Sequence, residues 1–142
     1  MSLAINFFAA LSNIVFGYPA YCYATTTFQR MLTTTMICAS FLMHISEVKH
    51  GLHGVYPFNK WSWWFLQLDR VMAIVCTVYV LFYALIVGVE TNWIVGIGGL
   101  LCMGCSEFFV DGWWFGILHA LWHGCAFYIL GLTFNQRFKA TP

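Results

Sequence analysis

Two histidines spaced four residues apart, His119 and His123, are the strongest local indication of chemistry in this 142-residue chain. They belong to the segment His119-Ala-Leu-Trp-His123. On an α-helix an i, i+4 pair places both imidazoles on one face, close enough to bind a single metal ion. The same pattern fits two core histidines whose nitrogens are satisfied by backbone or hydroxyl groups. The pair alone leaves both interpretations open.

Two further ionisable residues, His44 and Asp69, also lie within apolar stretches of the sequence. Ionisable side chains inside a membrane are energetically expensive, so each of them is a functional-site hypothesis. Together with His119 and His123 they supply three imidazoles and one carboxylate. Three histidines with one open position form the ligand set of catalytic zinc, which lowers the pKa of a bound water to about 7. The aspartate is suited to orient that water or to accept its proton.

The elements that carry these residues are predicted to be membrane-spanning helices. Hydrophobic residues make up 61% of the chain and charged residues 8%, against roughly 25% charged residues in soluble domains. The apolar runs of about 17 to 24 residues match the thickness of a bilayer core. We expect an all-α polytopic transmembrane helix bundle, a single domain over 1–142, with helices over about 3–23, 31–46, 65–88, 93–109 and 113–133. The net charge of +1 provides no basic stripe for nucleic acid.

An alternating path of five helices would gather the ionisable residues at one membrane face. At a rise of ~1.5 Å per residue, Asp69 would lie about 6 Å inside its helix, and His119 and His123 about 9 and 15 Å inside theirs. If the glycine-rich run 93–109 did not span the membrane, the last helix would run in the opposite direction, and the metal-binding residues would no longer lie at one face. The orientation stays open, because each side has three basic residues. These are Arg30, Arg137 and Lys139 on one side, and Lys49, Lys60 and Arg70 on the other.

Three short motifs follow one another along the chain: Ser40-Phe-Leu-Met-His44, Phe65-Leu-Gln-Leu-Asp69 and His119-Ala-Leu-Trp-His123. Their order resembles that of the CREST superfamily of membrane hydrolases, which includes alkaline ceramidases, progestin/adiponectin receptors and a GPI-processing phospholipase branch. The His-Ile-Ser-Glu and Leu-Gln-Leu-Asp stretches look closest to the last of these. The family core has seven helices, whereas five are predicted here, so fewer walls remain to enclose a lipid.

The resemblance implies a Zn²⁺ ion held by His44, His119 and His123, with Ser40 and Asp69 beside the attacking water. It also implies cleavage of an amide or ester bond in a lipid, so a lipid substrate and bilayer lipids are the expected partners. The expected location is an endomembrane or the plasma membrane. A receptor role, as in one branch of the family, would use the same pocket and stays open.

The remaining polar residues near this face have competing interpretations. A membrane-helix serine such as Ser40 commonly bonds its own i−4 carbonyl. Arg70 is an alternative, structural partner for Asp69. Two histidines in the loop before the third helix are predicted to be solvated, because no further metal ligand accompanies them: His50 and His53. Three carboxylates are candidates for relaying protons, although carboxylates at helix ends are common: Glu47, Glu107 and Asp111.

Three functions from different classes fit these residues. The first, which we favour, is a zinc-dependent intramembrane lipid hydrolase. The second is a non-catalytic accessory subunit of a larger membrane complex that retains a CREST-like fold, with other membrane subunits as partners and the mitochondrial inner membrane as an alternative location. The third is a haem or redox protein, which needs facing histidines on separate helices. A di-iron desaturase needs many more histidines than the five present.

Overall fold

The protein folds into five α-helices in the computed structural model, which describes residues 2–135. Met1 and residues 136–142, including Arg137 and Lys139, lie outside the described residues. The α-helices are α1 (Ser2–Tyr23), α2 (Thr27–Ser46), α3 (Ser62–Leu85), α4 (Trp93–Phe108) and α5 (Gly112–Asn135). A short 3-10 helix, Phe58–Trp61, precedes α3, and residues 2–135 contain no strand. The predicted all-α fold with five helices is confirmed.

Three of the five helices are long and apolar enough to cross a membrane: α1, α5, and α3 together with its preceding 3-10 turn. The other two fall short for different reasons. Helix α2 carries several polar side chains into the protein interior, which lowers its hydropathy. Helix α4 has 16 residues, which span about 24 Å and so less than a bilayer core of about 30 Å.

Two helices have ends that lie more than two residues from the predicted ones. Helix α2 begins at Thr27 rather than near residue 31, because Thr26 and Gln29 form a capping box that satisfies backbone N–H groups at the helix start. Helix α3 spans 62–85 rather than 65–88. Its start follows directly from the 3-10 turn, and beyond its end Gly88 adopts a φ of +78°, which takes the chain out of helical conformation.

Successive helices run in alternating directions. Helix α5 is parallel to α1, because Ser12 lies against His123 and Gly17 against Phe127. The start of α1, the end of α2, and the starts of α3 and α5 therefore share one end of the bundle, with the end of α4. Two contacts establish each antiparallel pair of neighbours. Asn6–His44 and Gly17–Ile37 join α1 to α2, and Ser40–Asp69 and Gln29–Tyr79 join α2 to α3. Ser106–His119 and Gly99–Cys125 join α4 to α5.

The centre of the bundle is formed by α1, α2 and α5, whereas α3 and α4 lie at its periphery. Phe127 and Phe134 of α5 are buried in one cluster with Ala20 of α1, and Phe115 of α5 is buried in another with Ile5 of α1 and Leu52. Helix α3 packs mainly on α2 and has no buried residue along its 24 residues. Helices α3 and α4 do not pack closely against each other. A gap between them reaches the central helices.

Candidate metal centre

His44, His119 and His123 meet in the interior of the bundle. One ring nitrogen from each lies within 4.8 Å of the others, and all three residues are buried. His44 comes from the end of α2, whereas the other two occupy one face of α5, as the i, i+4 spacing predicts. The predicted convergence of the three histidines is therefore observed. The cluster could hold a metal ion.

The geometry of the nitrogens fits that role. The Nε2 atoms of His44 and His123 lie 3.2 Å apart. Two ligands of a tetrahedral ion with metal–nitrogen bonds of about 2.0–2.1 Å are separated by about 3.4 Å, which is close to this distance. His44 Nδ1 is buried and has no hydrogen-bond partner. The ring of His44 is therefore not explained as an ordinary hydrogen-bonded core histidine.

Two serines hold the outer nitrogens of the α5 histidines. Ser12 Oγ of α1 lies 2.7 Å from His123 Nδ1, and Ser106 Oγ of α4 lies 3.0 Å from His119 Nδ1. Both serines are buried. Sequence reasoning missed them, because it weighed ionisable residues within apolar runs and, among the serines, only Ser40 next to His44. A serine within an otherwise apolar helix also indicates a functional site, although less strongly than an ionisable residue does.

Asn6 ties the start of α1 to the end of α2. Its Nδ2 donates to the carbonyl oxygens of His44, at 2.7 Å, and Glu47, at 3.0 Å. These carbonyls belong to the last turn of α2 and its cap, where the His44 carbonyl also accepts from the backbone N–H of Glu47 at 3.4 Å. Asn6 thus fixes the backbone that presents His44, and it too was missed from the sequence.

Ser40 lies one turn before His44 and contacts the cluster directly. Its Oγ is 3.4 Å from His123 Nε2, and it also interacts with the Asp69 carboxyl. Asp69 Oδ1 is buried without a hydrogen-bond partner. None of the ion pairs among residues 2–135 joins Asp69 to Arg70. The structure therefore places Ser40 beside the histidines and Asp69 beside Ser40, while Arg70 interacts with Asp69 through its charge without forming an ion pair.

A chain of ionisable groups leads from the cluster to the surface. Glu107 lies 3.6 Å from His119 Nδ1 and 4.0 Å from His50, which lies 3.3 Å from the exposed Asp111. His50 stacks on Phe115 with ring centroids 4.2 Å apart. The side chain of His50 is only 10% exposed, so its prediction as a solvated loop histidine is wrong.

Two other candidate residues between α2 and α3 lie outside that chain of ionisable groups. His53 is exposed, as expected. Glu47 is buried, and its carboxylate accepts a hydrogen bond from the backbone N–H of Lys49. Desolvation by burial raises the pKa of Glu47 above its ordinary value. The role of the three carboxylates in relaying protons stays a prediction.

An apolar cavity of about 320 Å³ opens between α3 and α4 and has His123 in its wall. Its size is at the lower end of the roughly 300–1,000 Å³ that small-molecule sites occupy. The lining is mostly apolar and comes from α3, α4 and α5, with Met36 contributed by α2. The gap left by the separation of α3 and α4 thus connects the surface of the bundle to the histidine cluster.

No family model, no curated protein and no solved structure matches this chain. The functional argument therefore depends on the residues of the site and on the cavity that reaches it.

Proposed function

We propose that this protein is a multi-pass membrane enzyme that uses Zn²⁺ to hydrolyse an amide or ester bond in a lipid. The observation that carries the proposal is the buried cluster of His44, His119 and His123, with one of these histidines in the wall of an apolar cavity. The order of the motifs, which resembles that of CREST hydrolases, supports the same activity.

The donor set favours zinc among the available metals. Imidazole nitrogens bind zinc, copper, iron and nickel, whereas magnesium and calcium prefer oxygen ligands. Three histidines leave one of four tetrahedral positions open, which is the arrangement of catalytic zinc sites. When bound, Zn²⁺ would polarise the scissile carbonyl and lower the pKa of a water molecule to about 7.

The residues beside the cluster are suited to the proton transfers of hydrolysis. In the proposed reaction the Asp69 carboxylate accepts a proton from the attacking water and returns it to the leaving amine or alcohol. Ser40 lies between Asp69 and His123 and orients the water. Water thus supplies a hydroxyl to the acyl carbon and a proton to the leaving group, and no further reactant is needed.

The apolar cavity is suited to an acyl chain. It opens between α3 and α4, two helices whose exposed side chains are almost all apolar, and it ends at His123. A lipid could place its chain in the cavity and its scissile bond near Ser40 and Asp69. Five helices therefore suffice to form a cavity next to the site, although the two helices missing relative to the seven-helix core leave its outer side open.

The test is zinc-dependent hydrolysis by the purified protein against a panel of ceramides and phospholipids. We expect one class to be cleaved, with activity lost on chelation and restored by Zn²⁺. His119→Ala should abolish both zinc binding and hydrolysis, whereas the exposed His53→Ala should retain both. Stoichiometric zinc without cleavage of any lipid would contradict the enzymatic proposal.

The accessory-subunit alternative also has a specific observation in its favour. Helix α3 has no buried residue, and the apolar side chains on its outward face, such as Trp63, Ile74 and Val78, are exposed and available to a neighbouring subunit as well as to lipid. Copurification of a second membrane protein in fixed stoichiometry, together with absence of hydrolysis, would favour this alternative over the enzyme.

A further inference from the structure

Each histidine of α5 has a serine from a different helix at its Nδ1 atom. Ser12 of α1 serves His123, and Ser106 of α4 serves His119. The two serines have no role in the reaction proposed above. Their function depends on which partner of each pair carries the proton.

The hydroxyl proton of each serine is already committed elsewhere. Ser12 Oγ lies 2.7 Å from the carbonyl oxygen of Ala9, and Ser106 Oγ lies 2.8 Å from that of Met103. Two oxygens this close require a proton between them, and a carbonyl oxygen can only accept. A hydroxyl has one proton, so the serine donates to the carbonyl and its lone pair faces the imidazole. The histidine must therefore donate through Nδ1–H.

Glu107 independently indicates the same assignment at His119. Its carboxylate oxygen lies 3.6 Å from His119 Nδ1, on the same side of the ring as Ser106 Oγ. A carboxylate close to Nδ1 favours a proton on that nitrogen. Two acceptors from α4 thus face one nitrogen of His119, and neither offers it a proton.

We propose that Ser12 and Ser106 are positioning residues that hold His123 and His119 in the Nδ1–H tautomer, which directs the Nε2 lone pairs into the cluster. A neutral imidazole has one protonated nitrogen, so fixing the proton on Nδ1 leaves Nε2 free to bind a metal. At His123, that Nε2 atom is the one 3.2 Å from His44 Nε2.

Helices α1 and α4 carry none of the three histidines, yet each contributes to the site: α1 orients one ligand through Ser12, and α4 orients the other through Ser106. Loss of such outer hydrogen bonds typically weakens metal binding by 10–100-fold. The effect on zinc affinity depends on the proposed function, whereas the tautomers can be measured in the protein whether or not it binds zinc.

The first measurement is long-range ¹H–¹⁵N correlation spectroscopy of the histidine rings, in the protein as purified and after chelation. Resonances are assigned from their loss in His119→Ala and His123→Ala. We expect a protonated Nδ1 in both histidines under both conditions. Protonated Nε2 in either histidine after chelation would overturn the proposal.

The second measurement is zinc affinity by chelator competition in serine variants. Ser12→Ala and Ser106→Ala should each weaken binding by about 10–100-fold, and Ser12→Thr, which keeps the hydroxyl, should recover most of that loss. Ser46→Ala is the matched control, because the buried Ser46 Oγ donates to the Met43 carbonyl at 2.8 Å but contacts no histidine. It should bind zinc within about twofold of wild type.

The outcomes separate the two proposals. Nδ1–H tautomers in a protein that binds no zinc would refute the proposed function and leave the tautomer assignment intact. Normal zinc affinity in Ser12→Ala and Ser106→Ala would refute the positioning role while the zinc site stands. Equal loss of affinity in Ser46→Ala would show that general destabilisation, not the serine–histidine contact, is responsible, and would also refute that role.

Discussion

Adding one methyl group at Gly99 tests how closely α4 must approach α5. A Cβ atom built at Gly99 would lie 2.7 Å from Cys125 Cβ, next to the backbone of α5. Ordinary contact begins near 3.4 Å, so α4 must move by 3.4 − 2.7 = 0.7 Å. If α4 moved as a rigid body, the 3.0 Å contact between Ser106 and His119 would stretch to as much as 3.0 + 0.7 = 3.7 Å, which no longer counts as a hydrogen bond.

The neighbouring glycine provides the matched control. A Cβ at Gly98 meets nothing within 4 Å, so Gly98→Ala adds the same methyl group at no steric cost. Overpacking costs about 1–3 kcal/mol, and alanine improves helix propensity by up to about 1 kcal/mol at either position. We therefore expect Gly99→Ala to be about 1–3 kcal/mol less stable than Gly98→Ala.

Thermal unfolding in detergent, followed by circular dichroism, gives the stability comparison, and chelator competition gives zinc affinity in the same samples. Gly99→Ala should unfold at a lower temperature and bind zinc more weakly than Gly98→Ala. Equal unfolding temperatures and equal zinc affinities in the two variants would refute the close packing of α4 on α5 that we describe.

Three further predictions address other parts of the site. Asp69→Asn should reduce hydrolysis by about 10²–10⁴-fold, the usual contribution of a positioned acid or base, with zinc content unchanged; loss of the zinc as well would show that Asp69 supports the ligands instead. Asn6→Leu removes the two hydrogen bonds to the end of α2, worth about 0.5–1.5 kcal/mol each, so it should lower the free energy of unfolding by about 1–3 kcal/mol in a denaturant titration. An unchanged unfolding midpoint would contradict that role. Thr77→Trp places a large ring in the wall of the cavity and should slow cleavage of long-chain substrates more than of short-chain ones in a comparison of kcat/KM. Equal effects on both would argue against the cavity as the acyl site.

The three histidines of the cluster were predictable from the sequence. His44, His119 and His123 lie within apolar runs, and an alternating helix path is enough to bring them to one end of the bundle. The short α4 does not prevent this, because it still runs antiparallel to α5. The helical spacing of the histidines and the alternating direction of the helices thus determine that these three residues meet.

The residues that support the cluster were not predictable in the same way. Ser12 and Ser106 reach the histidines only because α1 and α4 are rotated to face α5, and apolar helices carry no strong amphipathic pattern that would fix their rotation. The burial of His50 depends on the fold of a loop that stacks it on Phe115. The early start of α2 follows from the capping box that Thr26 and Gln29 form.

X-ray absorption spectroscopy at the zinc edge tests the central claim most directly. The purified wild-type protein should contain about one zinc per chain, with three imidazole nitrogens and one further light atom at about 2.0–2.1 Å. His44→Ala should lose that signal, and His53→Ala should keep it. Absence of zinc from the wild type, or a sulfur ligand at about 2.3 Å that indicates cysteine, would contradict the three-histidine site.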